Sequence, residues 1–174
     1  MPTEWTRLRL DVQNFDEDPF LQYLDRARHH GIELTTMARI GDTPAHRHAL
    51  YQLNKTCSAD IPERGEFYTY DEYATRRFDQ RVYNPSGVVL ALDGAEWVGM
   101  AMTTIHAAKG YAFSEMTGVL AAYRGRSLAL AMKVLAIRFA KDAGVSVLRT
   151  FHHPRNASAI AMNRKLGFVD DHQD

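Results

Sequence analysis

The order of predicted elements places this chain in the α+β class, with a mixed, mostly antiparallel sheet carrying helices. Period-two apolar segments gather in a meander over residues 87–120, and the remainder alternates strand, helix, strand, helix. Size agrees: 174 residues with 45% hydrophobic and 24% charged side chains fill one core and are too few for two ordinary domains.

The elements follow in order. "WTRLRLDV" (residues 5–12) alternates apolar and basic residues, the pattern of a strand with one wet face. "DPFLQYLDRARHHG" puts Phe20, Leu21, Leu24 and Ala27 at helical spacing, with Gly31 as a stop. "IELTTMARI" (residues 32–40) reads as a second strand. "TPAHRHALYQLNKTC" reads as a helix with Thr43 as N-cap and Pro44 in its first turn. Residues 59–83 give loop plus the short helix "YDEYATRRFDQ". "GVVLAL" and "EWVGMAMTTIHA" form a hairpin around Asp93-Gly94, and "GYAFSEMTGVL" is a further strand. After Arg124 the period becomes helical: Leu128, Met132, Leu135 and Phe139 share a stripe, Lys133 and Lys141 are expected to reach water, and Gly144 ends the helix. "VSVLRTF" is a strand, and Asn156 is placed to cap a last helix over residues 157–166.

Charge and composition exclude some functions. Lys plus Arg and Asp plus Glu both number 21, so no net field draws the chain to nucleic acid or to an anionic membrane. No apolar run is long enough to span a bilayer, no leader pattern opens the sequence, and Cys57 is the single cysteine, so a reducing cytoplasm is expected. The histidine pairs (His29-His30, His46 with His48, His152-His153) lack ligand spacing, so no metal is expected.

The informative stretch is "TGVLAAYRGRSLALAMKVLAIRFAKDAG" (residues 117–144), where a strand runs through an Arg-Gly turn into a long helix. A helix N-terminus leaves N–H groups unpaired and partly positive, so a turn that exposes them is an anion site. Arg124 and Arg126 add two guanidinium groups suited to phosphate. The spacing matches neither a Walker loop nor a dinucleotide fingerprint. A basic loop capped by a helix, holding no ligand, is the plain alternative.

Together with "RNASAIAMNRKLGF" further on, this stretch resembles the acetyl-CoA-binding core of the GNAT acyltransferase superfamily. The form of the motif is most similar to the halves of tandem GNAT proteins and mycothiol synthase-like enzymes. The resemblance implies a GNAT fold with an extra N-terminal strand and a truncated C-terminus, divided as an extension over residues 1–31 and an acyltransferase domain over 32–174. It further implies acetyl-CoA as co-substrate and a small-molecule or peptide amine as acceptor, with a non-catalytic acyl-CoA-binding or interaction module as the alternative.

Roles follow by position from the resemblance. Thr117, Val119 and Leu120 would face the pantetheine arm. Arg124, Gly125, Arg126, Ser127, Leu128 and Ala129 would form the pyrophosphate loop, and Asn156 and Asn163 would stand beside the arm and the thiol. Two positions depart from the pattern. Ser127 replaces a glycine, tolerable if its φ is negative. Asn163 replaces the tyrosine that protonates the thiolate in many relatives, leaving His152, Tyr123 and Tyr111 as nearby groups. Glu115 is the candidate base, because period two would place it on the face of Thr117 and Val119; a solvent-facing carboxylate is the alternative. The aromatic group Phe67, Tyr68, Tyr70, Tyr73 and Phe78 would line an acceptor pocket or pack a core.

The ends are unusual for the family. Only "VDDHQD" follows Phe168, so a closing strand is missing, and residues 5–12 are expected to fill the vacancy in their own chain or, by strand exchange, in a homodimer. Pairing with another GNAT chain is the other way to cover that edge.

Overall fold

A computed structural model describes residues 4–172. Among them, seven strands form one sheet: β1 (Thr6–Asp11), β2 (Ile32–Thr36), β3 (Val88–Asp93), β4 (Glu96–His106), β5 (Tyr111–Val119), β6 (Val147–His152) and β7 (Val169–Asp170), in spatial order β2-β3-β4-β5-β6-β1-β7. Every neighbouring pair is antiparallel except β5 and β6. The helices are α1 (Leu21–His29), α2 (Met37–Ile40), α3 (Pro44–Ser58), α4 (Tyr70–Arg77), α5 (Leu128–Asp142) and α6 (Ala157–Lys165). None is long and apolar enough to cross a membrane.

Local chemistry sets most boundaries. The Thr43 hydroxyl accepts from His46 N, and Thr69 and Glu72 close a reciprocal capping box that starts α4. Gly94 at φ 58° lets β3 turn into β4, and Gly144 at φ 81° stops α5. The strand expected over residues 32–40 ends early. Thr36 caps a one-turn helix by accepting from Arg39 N, which a period-two reading of "IELTTMARI" does not register.

The sheet is covered on both faces. One core joins α3 and α4 to β3 and β4 through Leu50, Leu53, Tyr73, Phe78, Leu90 and Met100. The aromatic residues of positions 67–78 pack here against one another, which is the core alternative. On the opposite face α5 lies across the middle of the sheet, with α1 beside it. Lys133, expected to reach water, is 1% exposed there. Leu130, Lys133, Ile137 and Ala140 form one line at three- and four-residue spacing, and that whole line is buried, so the lysine has no route out.

β1 takes up one of the two arrangements expected for residues 5–12. It inserts between β6 and β7 of its own chain, six rungs against β6 from Thr6↔His152 to Asp11↔Val147 and two against β7. The sheet is thereby extended past β6 by a strand of the same chain. The expected alternation holds: Leu8, Leu10 and Val12 are buried in the core under α5, while Arg7 and Arg9 face outward.

Leu8 is fully buried at the centre of this insertion. Leu8→Ala is expected to lower unfolding free energy by about 3 kcal/mol, the range for a buried leucine, read from urea unfolding curves.

Candidate functional site

β5 and β6 run side by side for three rungs only, Tyr111↔Val147, Ala112↔Leu148 and Phe113↔Arg149. Beyond them β5 stays on β4 as far as Val119 while β6 stays on β1 as far as His152, and the two part. A bulge marks the parting. Met102 faces Met116 and Thr103 faces Ser114, so Glu115 is an extra residue on β5, and an extra residue bends its strand.

The wedge between the strands is a cavity of about 700 Å³, within the usual size of a small-molecule site. Its walls are Ser114 to Val119, Thr150 to His153, the end of α3, the loop over residues 60–64, the turn before α5 and the first turns of α6. Gly118 lets α3 approach: a Cβ there would lie 2.6 Å from Cys57 Cβ. Of the predicted site residues, all but Leu120 and Arg126 line this cavity.

The turn before α5 differs from expectation at several points. Ser127 has φ 61° and ψ 23°, not the negative φ that would make serine comfortable, and its side chain caps nothing. The first N–H groups of the fifteen-residue α5, on Leu128, Ala129 and Leu130, therefore lie open at the cavity wall. Arg124 is already engaged: Nε donates to Val119 O at 3.1 Å and Nη1 to Asp60 Oδ2 at 2.8 Å. The Val119 carbonyl thus already accepts one bond, and the Leu120 N–H is bound to Val98 O. Arg126 projects to solvent, its guanidinium 4.9 Å from the Tyr123 ring centroid.

The bulge also overturns the period-two placement of Glu115. Thr117 and Val119 fall on the α5 face, Val119 packing with Leu128 and Met132. Glu115 reaches the opposite face, where Thr104 donates to its Oε1 at 2.9 Å and Arg77 of α4 stands 3.5 Å from Oε2. Thr117 Oγ1 is buried without a partner.

On the β6 side, Asn163 is fully buried and its Nδ2 donates to His152 Nε2 at 2.7 Å and to Ala159 O at 3.1 Å, leaving Oδ1 unpaired. Burial, with the positive Lys133 adding to it, pushes His152 down to about 4, so its ring is neutral and accepts at Nε2. Asn156 holds the N-cap position of α6 but makes no cap bond, its Oδ1 accepting instead from Ser158 Oγ at 3.5 Å. Burial pushes the Cys57 thiol up to about 11, so it stays protonated. Tyr123 donates to Asp93 Oδ2 at 2.5 Å, which pushes its phenol up to about 12; Tyr111 stacks on His106 at the closed end of the wedge. Among the described residues no group of three or more His, Cys, Asp or Glu is placed for a metal ion.

Sequence reasoning missed the loop over residues 60–64, which crosses the mouth and is tied at both ends. Asp60 binds Arg124, and Glu63 binds His153 Nε2 at 2.8 Å and Arg155 at 3.3 Å. It also missed Ser114 and Lys133, the latter findable from its place on the line of Leu130, Ile137 and Ala140.

The profile of the acetyltransferase (GNAT) family matches residues 47–168, and the chain belongs to that family. It is 29% identical over 121 residues to a mycothiol acetyltransferase of Paenarthrobacter aurescens, an alignment covering 67% of this chain and 37% of that protein. The chain thus matches well under half the length of this relative. Among solved structures it resembles the ribosomal-protein-S18-alanine N-acetyltransferase of Escherichia coli (TM-score 0.63, 16% identity, 80% of this chain and 79% of that one). It also resembles a tandem GNAT protein of the clavulanic acid biosynthesis pathway (TM-score 0.65, 19% identity, 97% and 50%). These likenesses establish the fold.

Two stability effects follow from the geometry. Ser127→Gly is expected to raise unfolding free energy by about 1 kcal/mol by relieving a left-handed serine, measured by thermal or urea unfolding. Burial pushes Lys133 from 10.5 down to about 7. Between those values the unfolded chain holds a proton the folded one lacks, so this group makes stability rise with pH across the window and leaves it lowest below about 7. The advantage of Lys133→Met over the parent is therefore expected to be largest near pH ~6 and to shrink towards pH ~10, as urea curves at the two pH values would reveal.

Proposed function

We propose that this chain is an acyl-CoA-dependent N-acyltransferase unit that binds acetyl-CoA in the wedge between β5 and β6 and passes the acyl group to a primary amine of a small molecule or peptide. The observation that carries the reading is the parting of the two parallel strands beside the open N-terminus of α5. An extended pantetheine arm suits the unpaired edge of β5 from Ser114 onward. The pyrophosphate suits the N–H groups of Leu128 to Leu130, with Gly125 and the partly exposed Arg124 around it; Arg126 is next in the turn, its guanidinium over Tyr123 and within a rotamer change of the mouth. Buried, unsatisfied Thr117 Oγ1 and Asn163 Oδ1 lie on the cavity wall, where a polar arm would satisfy them.

The acceptor enters from the α3 and α4 side, between Arg77, Glu115 and the loop over residues 60–64. An alkylamine arrives as an ammonium ion and must lose one proton before it attacks. Glu115 is the carboxylate positioned to take it, directly or through water. Asn163 supplies no acid; it fixes His152, and the pair shapes the floor beside the thioester. Residues 32–174 constitute the acyltransferase domain, with residues 1–31 contributing the strand that flanks β6. A second GNAT unit is the partner that the tandem relatives suggest.

Titration calorimetry tests the reading. Saturable binding of acetyl-CoA, shared by CoA and absent with ATP, is expected, and Arg126→Ala is expected to weaken it by about 1 to 3 kcal/mol. No binding of either thioester or thiol would overturn the assignment of the wedge.

A further inference from the structure

Lys133 is the least explained side chain in the protein. It projects from the middle of α5 into the interior, 1% exposed, with Nζ 5.4 Å from the Phe168 ring centroid. Among the described residues its one hydrogen-bond partner is Ser114 Oγ at 2.5 Å. An ammonium group has three donors, and here a single neutral oxygen receives them. Burial alone acts on its acidity and brings it down to about 7, so both protonation states are populated near neutrality. Packing gives no reason for an amine at this position, since methionine has similar length and no charge to desolvate.

Ser114 supplies the reason. It is the first residue of β5 past the last rung with β6 and the last before the bulge, which puts it at the foot of the wedge. It is 7% exposed and lines the cavity. A continuous path therefore runs from the cleft through Ser114 Oγ to Lys133 Nζ.

Among the described residues, no other group on the α5 side of the foot is placed to exchange protons with the cleft. His152, from β6, is neutral and its Nε2 is occupied by Asn163. Cys57, from α3, is held protonated, and Glu115 lies on the other face of the sheet with Thr104 and Arg77. The remaining elements around α5 bring Leu8 and Leu10 from β1, Thr103 opposite Ser114 from β4, and Tyr23 from α1 with Lys165 over its ring. No carboxylate acts on Lys133 from any of them.

We propose that Ser114 and Lys133 form a proton relay at the foot of the wedge, which takes the proton released by the attacking amine and returns it to the departing thiolate. This rests on the acyl-transfer reading of the cleft. The amine nitrogen forms its bond to the carbonyl carbon, and the carbon–sulfur bond breaks with its electron pair going to sulfur. Nitrogen must lose one proton and sulfur must gain one. Neutral Lys133 accepts a proton from the Ser114 hydroxyl as that oxygen takes the proton from nitrogen. The ammonium form then returns it along the same path to sulfur, and the protein ends unchanged. Ser114 meets the reacting atoms; Lys133 acts through it. The initial deprotonation of an ammonium acceptor is a separate event on the Glu115 side.

The test uses the whole chain with Lys133→Met, Ser114→Ala and Ser114→Thr, in three measurements. Calorimetry with acetyl-CoA should give affinities within about threefold of the parent for all three, since the relay acts after binding. Thiol release with a panel of primary amines should fall about 100-fold in Lys133→Met and Ser114→Ala. Both should lose the pH dependence near 7, while Ser114→Thr, which keeps the hydroxyl, should stay within a few-fold of the parent. The third measurement needs no acceptor. In protein carrying 13Cε-lysine, the Lys133 signal, assigned by its loss in Lys133→Met, should titrate at a different pH in the CoA complex than in the desulfo-CoA complex. Ser114→Ala should abolish that difference. Failure of acetyl-CoA to bind the parent overturns the cleft reading and the relay with it. Binding with equal Lys133 titration in the two complexes, or Lys133→Met turning over with the parent pH profile, overturns the relay alone.

Discussion

The bulge at Glu115 is the constraint on which the functional face depends. A regular parallel pair would continue its ladder from Phe113 to Val119 and leave no room between β5 and β6. The extra residue bends β5 while its contacts to β4 hold, so the far edge of the strand opens. The same insertion assigns sides. Ser114 before it and Thr117 and Val119 after it face α5, whereas Glu115 turns to α4. Two titratable groups are thereby set on opposite faces of the sheet, a paired carboxylate on one and a buried amine on the other.

Holding the wedge open also requires that β6 be fixed on its other side. β1 does this with six rungs, and its Leu8, Leu10 and Val12 extend the core beneath α5. α5 in turn carries open N–H groups at its start, Lys133 in its second turn, and the apolar line that seats the lysine. The loop over residues 60–64 bridges the two arms of the wedge through Asp60 and Glu63. An anion reaching Arg124 therefore meets a guanidinium already shared with Asp60.

How much of this is legible in the sequence depends on whether the cause is local. Caps, stops and the hairpin lie within a few residues of Thr43, Asp93-Gly94 and Gly144, and they can be read directly. The Arg-Gly turn and the two asparagines carry a family pattern, and its residues come together on one cavity, Leu120 and Arg126 excepted. Thr36 shows the limit of periodicity, since one hydroxyl converts an apparent strand into a helical turn. Glu115 shows another: alternation is reliable only until a bulge, and no residue type announces this one. Lys133 looks like a wet helical position because lysine usually is one, and only the burial of its neighbours along α5 reveals otherwise. Engagement of Arg124 by Asp60, 64 residues away in sequence, has no local signal.

The place of β1 in the sheet has a consequence for how the protein assembles. Its partners lie some 140 positions further along the chain, so its contacts close the longest loop in the fold. During synthesis β1 is made before the other strands of this sheet and waits for nearly the last of them. Through that interval its backbone donors and acceptors are unpaired beside a row of apolar side chains, the condition that invites pairing with other chains. Arg7 and Arg9 alternate with those apolar residues, and their like charges oppose the stacking of one unpaired copy on another. The two arginines thus guard the strand before it docks, although in the finished sheet they stay outside the core, Arg7 lying over the Phe151 ring.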